Sequence, residues 1–238
     1  MSGTAAILLC AGRGERLKSE VPKALAPLAG RPLFTFALQA LEESAAIDAI
    51  VVVGPARALQ AALAASGIAA RKVVAWTEGG RERQHSVGRG LAALPAGPDL
   101  VAVHDSARAL VRTDVVARVI ADARVHGAAI AAMPLEDTLK RGALGVIEAT
   151  VPRAGLFRAQ TPQVFRRDWL EEAHRAAGEM LGKGVRPQSA TDDAALVEAL
   201  GHRVHLTPGE AMNFKITTPE DLELAESVLL GRPQPRRN

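Results

Sequence analysis

The sequence predicts an α/β fold, a Rossmann-like, doubly wound and mostly parallel sheet with a projecting β-arm. Two observations carry the sheet. Short apolar runs with no polar alternation recur through the first half of the chain, as expected of strands buried on both faces. Stretches of helical periodicity separate them, which makes consecutive strands parallel βαβ neighbours. A third observation carries the arm. At "LEDTLKRGALGVIEATVP" (135–152) two β-prone stretches flank "RGALG", with too little chain between them for a crossover helix.

Taken in order, the first strand is "AAILLC" (5–10) and the first helix "PLFTFALQALEES" (32–44). The second strand, "AIVVVG" (49–54), leads into the helix "ARALQAALAASG" (56–67), and the third, "RKVVAW" (71–76), into "VGRGLAALP" (87–95). "LVAVHD" (100–105), the helix "TDVVARVIADARVHG" (113–127) and "AAIAAMP" (128–134) complete the alternation before the arm. Helical patterns resume at "RDWLEEAHRAAGEML" (167–181), "DDAALVEALG" (192–201) and "TPEDLELAESVLL" (218–230). In the last, Thr218 is the expected N-cap, with Pro219 at the first helical position and acids in the first turn. Residues 1–230 are read as a single domain that includes the arm at about 135–152, and "GRPQPRRN" (231–238) as a frayed tail.

Composition narrows the function. With 238 residues, 48% of them apolar, the chain has enough material for a substantial core. Its 29 basic and 26 acidic residues are interspersed, and only seven aromatics are present, so neither a nucleic-acid stripe nor a base-stacking platform is indicated. One cysteine, Cys10, excludes an internal disulfide and fits a reducing compartment; it reads as a small buried residue at a strand end. The N-terminus lacks a basic region before its short apolar run, and no long apolar stretch follows, so a cytoplasmic protein without membrane association is expected.

Ligands of open α/β sheets sit beyond the carboxyl ends of the strands. After the first strand, "AGRGER" (11–16) supplies Gly12 and Gly14, whose amides can turn inward around an anion, with arginine adding charge. That suits a polyphosphate. A dinucleotide fingerprint is disfavoured because Leu17 stands where a third small residue belongs, and Gly54 and Pro55 where an acid belongs. A Walker loop is disfavoured because no Gly-Lys-Ser/Thr triplet occurs. What remains is a nucleotidyltransferase loop of Gly12, Gly14, Arg16, Pro22 and Lys23, with Lys18 off the pattern and solvated.

After the third strand, "TEGGRERQHSV" (77–87) reads equally as a structural turn or as a base and ribose cradle at a helix opening. After the fourth, Asp105 is the kind of lone carboxylate that meets Mg²⁺, an ion that completes its shell with water and substrate phosphates. His104 reads as a packing residue. These motifs hold no general base, and a phosphate monoester attacking a nucleoside triphosphate needs none.

Seven segments in order, "CAGRGERLKSEVPKAL" (10–25), "GGRERQHSV" (79–87), "VHDSARALV" (103–111), "EDTLKR" (136–141), "VPRAGLFRAQTPQVF" (151–165), "TDDAALVEALG" (191–201) and "NFKITTPEDLELAE" (213–226), make the chain resemble the 2-C-methyl-D-erythritol 4-phosphate cytidylyltransferase family over about residues 4–230. The resemblance implies transfer of CMP from CTP to methylerythritol phosphate, with release of pyrophosphate, in non-mevalonate isoprenoid synthesis. It implies that Ala11, Gly12, Gly14 and Lys23 meet the CTP phosphates and that Arg16 and Lys23 stabilise the pentacoordinate transition state. Gly80, Ser86, Ala107 and Arg108 would meet base and ribose, and Thr161 would add a nucleotide contact. Asp105 would hold Mg²⁺, with Lys215 on the phosphate side.

For the polyol phosphate the resemblance implies Thr138, Arg153 and Thr191, with Asp137 lining the site. The arm would reach across a homodimer, so that Arg153 serves the partner's active site. Blander readings stand beside these: Arg153 as a solvated turn, Lys215 as an edge charge, Lys140 and Arg141 as surface charge. The chain departs from the family's usual residues at Cys10, Arg81 and Met212, the last removing an acid that would supply the ion with a second carboxylate. Ribitol 5-phosphate cytidylyltransferase carries much the same motifs, and a nucleotide-binding subunit without turnover is the alternative of another class. A sugar-1-phosphate nucleotidylyltransferase fits less well for want of a longer chain.

Overall fold

A computed structural model describes residues 3–12, 14–17, 21–182 and 192–231. The chain runs from β1 (Thr4–Leu9) through two single-turn 3₁₀ helices (Glu15–Leu17 and Lys23–Leu25) to the small ribbon β2 (Pro27–Leu28) and β3 (Arg31–Pro32). Then come α1 (Phe34–Glu43), β4 (Ala49–Val53), α2 (Ala56–Ser66), β5 (Val73–Thr77), α3 (Arg83–Ala92), β6 (Leu100–Asp105), α4 (Thr113–His126) and β7 (Ala128–Pro134). β8 (Leu139–Ala143) and β9 (Val146–Val151) form the expected hairpin. β10 (Phe157–Arg166), α5 (Arg167–Gly182), α6 (Asp193–Ala199), β11 (His205–Pro208) and α7 (Pro219–Gly231) follow. Among the described residues no helix is long and apolar enough to cross a membrane.

Seven strands make one sheet in the order β11-β7-β10-β6-β1-β4-β5. All are parallel except β10, which runs antiparallel to both β6 and β7. Every residue of β1, β4 and β6 is buried, which is why those strands read as unbroken apolar runs. Their alternation splits the core in two. Ala6, Leu8, Ile50, Val52 and Ala102 face α1, α2 and α4, while Ala5, Ile7, Val51, Val53, Val101 and Val103 face α3, α5 and α6.

The sequence reading assigned no strand to 157–166 or 205–208. β10 carries Pro162, which argues against a central strand, yet its pairing with β7 shifts between Ala159 and Gln163. Pro162 falls inside that irregularity, where no ladder N–H is required. The hairpin turn is tighter than "RGALG" suggested: β8 runs through Ala143, and only Leu144 (φ 52°) and Gly145 (φ 80°) make the turn. Gly231, expected in the tail, closes α7, whose N-terminus is capped as foreseen, with Asp221 N donating to Thr218 Oγ1 at 3.3 Å. Lys18, Thr191 and tail residues 232–238 lie outside the described residues.

A third, smaller core positions the site. Leu17, Ala26, Leu28, Leu33, Ala109, Leu110, Ile216 and Ala225 pack together, joining the segment after β1, the loop after β6, the segment before α7 and α7 itself. Ile216 N also donates to Ala107 O at 2.8 Å. Because Ile216 is fully buried, we expect Ile216→Ala to cost about 2–5 kcal/mol in chemical denaturation, the usual scale for an emptied core site.

Candidate active site

The in-register ends of β6, β1, β4 and β5, with Leu9 opposite both Asp105 and Val53, and Val53 opposite Thr77, bring their following loops to one rim. Beyond β1 the chain must turn sharply. Gly14 has φ +72°, and a Cβ there would lie 2.6 Å from Lys23 Cβ, so only glycine allows both the turn and the approach of that lysine. Across the rim, a Cβ on Gly80 would lie 2.3 Å from His85 Cβ. Gly80 N donates to Ser86 Oγ at 3.0 Å, which folds the glycine pair over the start of α3.

These loops enclose a pocket of about 320 Å³. Ala11, Gly12, Lys23, Gly80, Ser86, Asp105, Ala107 and Lys215, all singled out in the sequence, line it together, with Cys10, Arg81, Glu82, Arg83 and Ser106 among their neighbours. Arg16 lies on the exposed side of the 3₁₀ turn, outside the lining but near enough for its charge to act on Lys23.

Asp105, 9% exposed, is the electrostatic centre. Its Oδ2 lies 2.7 Å from Lys215 Nζ and its Oδ1 3.3 Å from Arg83 Nε. Burial alone would push this carboxyl up, but Arg83 and Lys215 together outweigh it and hold it well below the usual carboxylate range. Lys23 shows the opposite balance. Burial, then the neighbouring Lys215 charge, brings its ammonium down to about 8 against the pull of Asp105. Burial likewise pushes the Cys10 thiol up to about 12, so this buried sulfur stays a neutral thiol.

Behind Asp105 a buried relay fixes its backbone. Asp105 N donates to Thr161 Oγ1 at 3.1 Å, Thr161 Oγ1 lies 3.0 Å from His104 Nδ1, and His104 Nε2 lies 3.3 Å from Arg108 O. The carbonyl calls for a proton on Nε2, so Nδ1 accepts from the threonine hydroxyl. Burial keeps the ring neutral, with its pKa pushed down to about 4. His104 is therefore the packing residue foreseen, with a hydrogen-bonding task added.

Two more of the expected residues are not among those lining this pocket. Arg108 spends its guanidinium on the carbonyls of Asn213 (2.7 Å) and Ala159 (3.1 Å), and Thr161 is buried in the relay; neither side chain lines the pocket. Both brace the site from behind. Asp137, Thr138 and Arg153 are exposed at the base of the arm, where the Arg153 guanidinium donates to Glu136 O. They too lie outside the pocket lining of this chain.

The sequence reading noted an arginine at this helix opening but gave Arg83 no role toward Asp105 or Asp193. Arg83 opens α3, where a positive charge faces the positive end of the helix dipole, and that misfit was the available signal. The misfit is offset by Asp105 and by Asp193, whose Oδ2 lies 2.6 Å from Arg83 Nη1.

Comparison with known proteins agrees along the chain. The profile of the 2-C-methyl-D-erythritol 4-phosphate cytidylyltransferase family matches residues 4–231. A protein of that name from Pelotomaculum thermopropionicum is 41% identical over 98% of this chain and 96% of its own. The bifunctional enzyme IspD/IspF of Rhodospirillum rubrum is 45% identical over 99% of this chain, which spans 59% of that relative's length. The crystal structure of 2-C-methyl-D-erythritol 4-phosphate cytidylyltransferase from Thermus thermophilus superposes with a TM-score of 0.74 at 36% identity, covering 94% of this chain and 98% of that one. Matched in sequence from β1 to α7 and in the arrangement of its sheet, the chain belongs to the 2-C-methyl-D-erythritol 4-phosphate cytidylyltransferase family.

Proposed function

We infer that this protein transfers CMP from CTP to 2-C-methyl-D-erythritol 4-phosphate, giving 4-(cytidine 5′-diphospho)-2-C-methyl-D-erythritol and pyrophosphate in isoprenoid biosynthesis. The observation that carries the reading is that Ala11, Gly12, Lys23, Asp105 and Lys215 line one and the same pocket. An oxygen of the polyol phosphate attacks the α-phosphorus of CTP. As that P–O bond forms, the bond to the oxygen bridging the β-phosphate breaks, and pyrophosphate leaves with the electron pair. The nucleophile arrives as an anion, so the protein's task is positioning and charge stabilisation. Ala11, Gly12 and Gly14 shape the phosphate loop; Lys23, Lys215 and Arg16 balance the charge that builds on the phosphoryl oxygens. Gly80, Ser86 and Ala107 border the opposite wall, where base and ribose fit.

Mg²⁺ is the proposed cofactor. Among the described residues no group of three or more His, Cys, Asp or Glu side chains could hold a metal ion alone, whereas Asp105 presents one carboxylate to the pocket. That donor set suits an ion that takes the rest of its shell from phosphates and water. Asp105 would hold it, and when bound the ion would withdraw negative charge from the triphosphate.

The polyol phosphate is assigned to Asp137, Thr138, Arg153 and Thr191, with the first three on an arm that docks against a second copy of the chain. Val146 and Ile147 are 67% and 64% exposed on β9. Leu144 stands fully exposed at the tip with positive φ, a conformation costly for leucine. An apolar arm of this kind is the chemistry of an interface.

A pyrophosphate-release assay crossing CTP, UTP and ATP with methylerythritol phosphate and ribitol phosphate tests the reading; release only with another pair overturns it. Lys23→Ala is expected to lower kcat about 100-fold or more, the scale of losing a transition-state donor. In the free enzyme Lys23 loses its proton as pH rises through about 8, so kcat/KM for CTP should fall above that pH and the fall should vanish in Lys23→Arg. The stability effect has the opposite sign: from about 8 up to the ordinary 10.5 the unfolded chain holds a proton the folded one has released, so this group's contribution to folding improves with pH. Ile147→Asp should give a monomer in sedimentation, and Arg153→Ala should raise KM for the polyol phosphate with little effect on that for CTP.

A further inference from the structure

Arg83 is shared between two carboxylates, and unequally. Its Nη1 lies 2.6 Å from Asp193 Oδ2, while its Nε lies 3.3 Å from Asp105 Oδ1. Asp193, at the start of α6, is 1% exposed, and its other oxygen lies 2.9 Å from His174 Nε2 on α5. A guanidinium fork ordinarily grips one carboxylate with two parallel N–H donors. Here the fork is held between two acceptors, and the shorter bond goes to the residue farther from the pocket.

The consequence falls on Asp105. A carboxylate has two oxygens and about four lone-pair sites. Lys215 occupies Oδ2 at 2.7 Å, and a bidentate Arg83 would take two more of those sites and leave about one for an incoming cation. We propose that Asp193 is a positioning residue that draws Arg83 away from bidentate closure on Asp105 and so keeps that carboxylate open to the cation accompanying the nucleotide. This rests on the cytidylyltransferase reading of the pocket. It differs from a purely structural staple between α3 and α6, because it requires that loss of Asp193 do harm only while Arg83 is present.

The test is equilibrium binding of a non-hydrolysable CTP analogue, methylene-bridged between the α and β phosphates, to the full chain by calorimetry, with Mg²⁺ and again with EDTA. Asp193→Asn is expected to reduce the Mg²⁺-dependent gain in affinity about tenfold, the lower end of the scale for losing an outer partner of a metal ligand. Affinity in EDTA should change by less than about twofold, since the surviving cations still face the phosphates. Adding Arg83→Met to Asp193→Asn should restore part of the gain. A double variant no better than Asp193→Asn, or a single variant equal to the wild type, overturns the proposal.

Thermal melts report folding in parallel. If Asp193→Asn does not fold, Arg83→Met is compared with Arg83→Met/Asp193→Leu. Equal Mg²⁺-dependent gains support the proposal, and a further loss in the double variant overturns it. Failure of the wild type to bind the analogue at all overturns the reading of the pocket, and this proposal with it.

Discussion

A buried anion among cations governs the rim of this sheet. Lys23, Lys215 and Arg83 all face one pocket of about 320 Å³, and without Asp105 between them their mutual repulsion would go unanswered. With it, positive and negative charges alternate from Lys215 through Asp105 and Arg83 to Asp193. Lys23 is left over. Its hold on a proton is weakened first by burial and then by the Lys215 charge, against the pull of Asp105. A bound polyphosphate would add negative charge where these cations meet.

The backbone holds this charge pattern in place. Asp105 closes β6, the strand beside β1, so the glycine loop and the carboxylate are neighbours by register. Thr161 and the neutral His104 lock the Asp105 amide from behind, and Arg108 ties that assembly to the loop of Asn213, two residues before Lys215. The polar residues that break the apolar pattern of β10 are thus the ones the site uses as braces. Their burial is tolerable because each finds a partner: Gln160 bonds Glu210 and Asn213, and Gln163 bonds Asp192.

What was legible in the sequence follows from how local its causes are. β1, β4 and β6 announced themselves through unbroken burial, and α7 through Thr218, Pro219 and Asp221, all effects acting within a few residues. The glycine loop with Lys23, and Asp105 at a strand end, were readable because strand ends are where ligands gather. β10 was not, since its place is set by partners on β6 and β7 far away in sequence and its proline suggested the opposite. Arg83 escaped for the same reason, its stronger acceptor lying 110 residues downstream. The bracing roles of Arg108 and Thr161 likewise depend on contacts some fifty and a hundred positions away.

The small core around Leu17, Leu28 and Ile216 imposes an order on biogenesis. The glycine loop is made before Ile216 and Ala225, which hold the segment around it and are translated after every strand of the sheet. Until α7 emerges, the glycine turn has its sequence but lacks its anchor. The rim therefore gains its full support only once the chain has been made through α7.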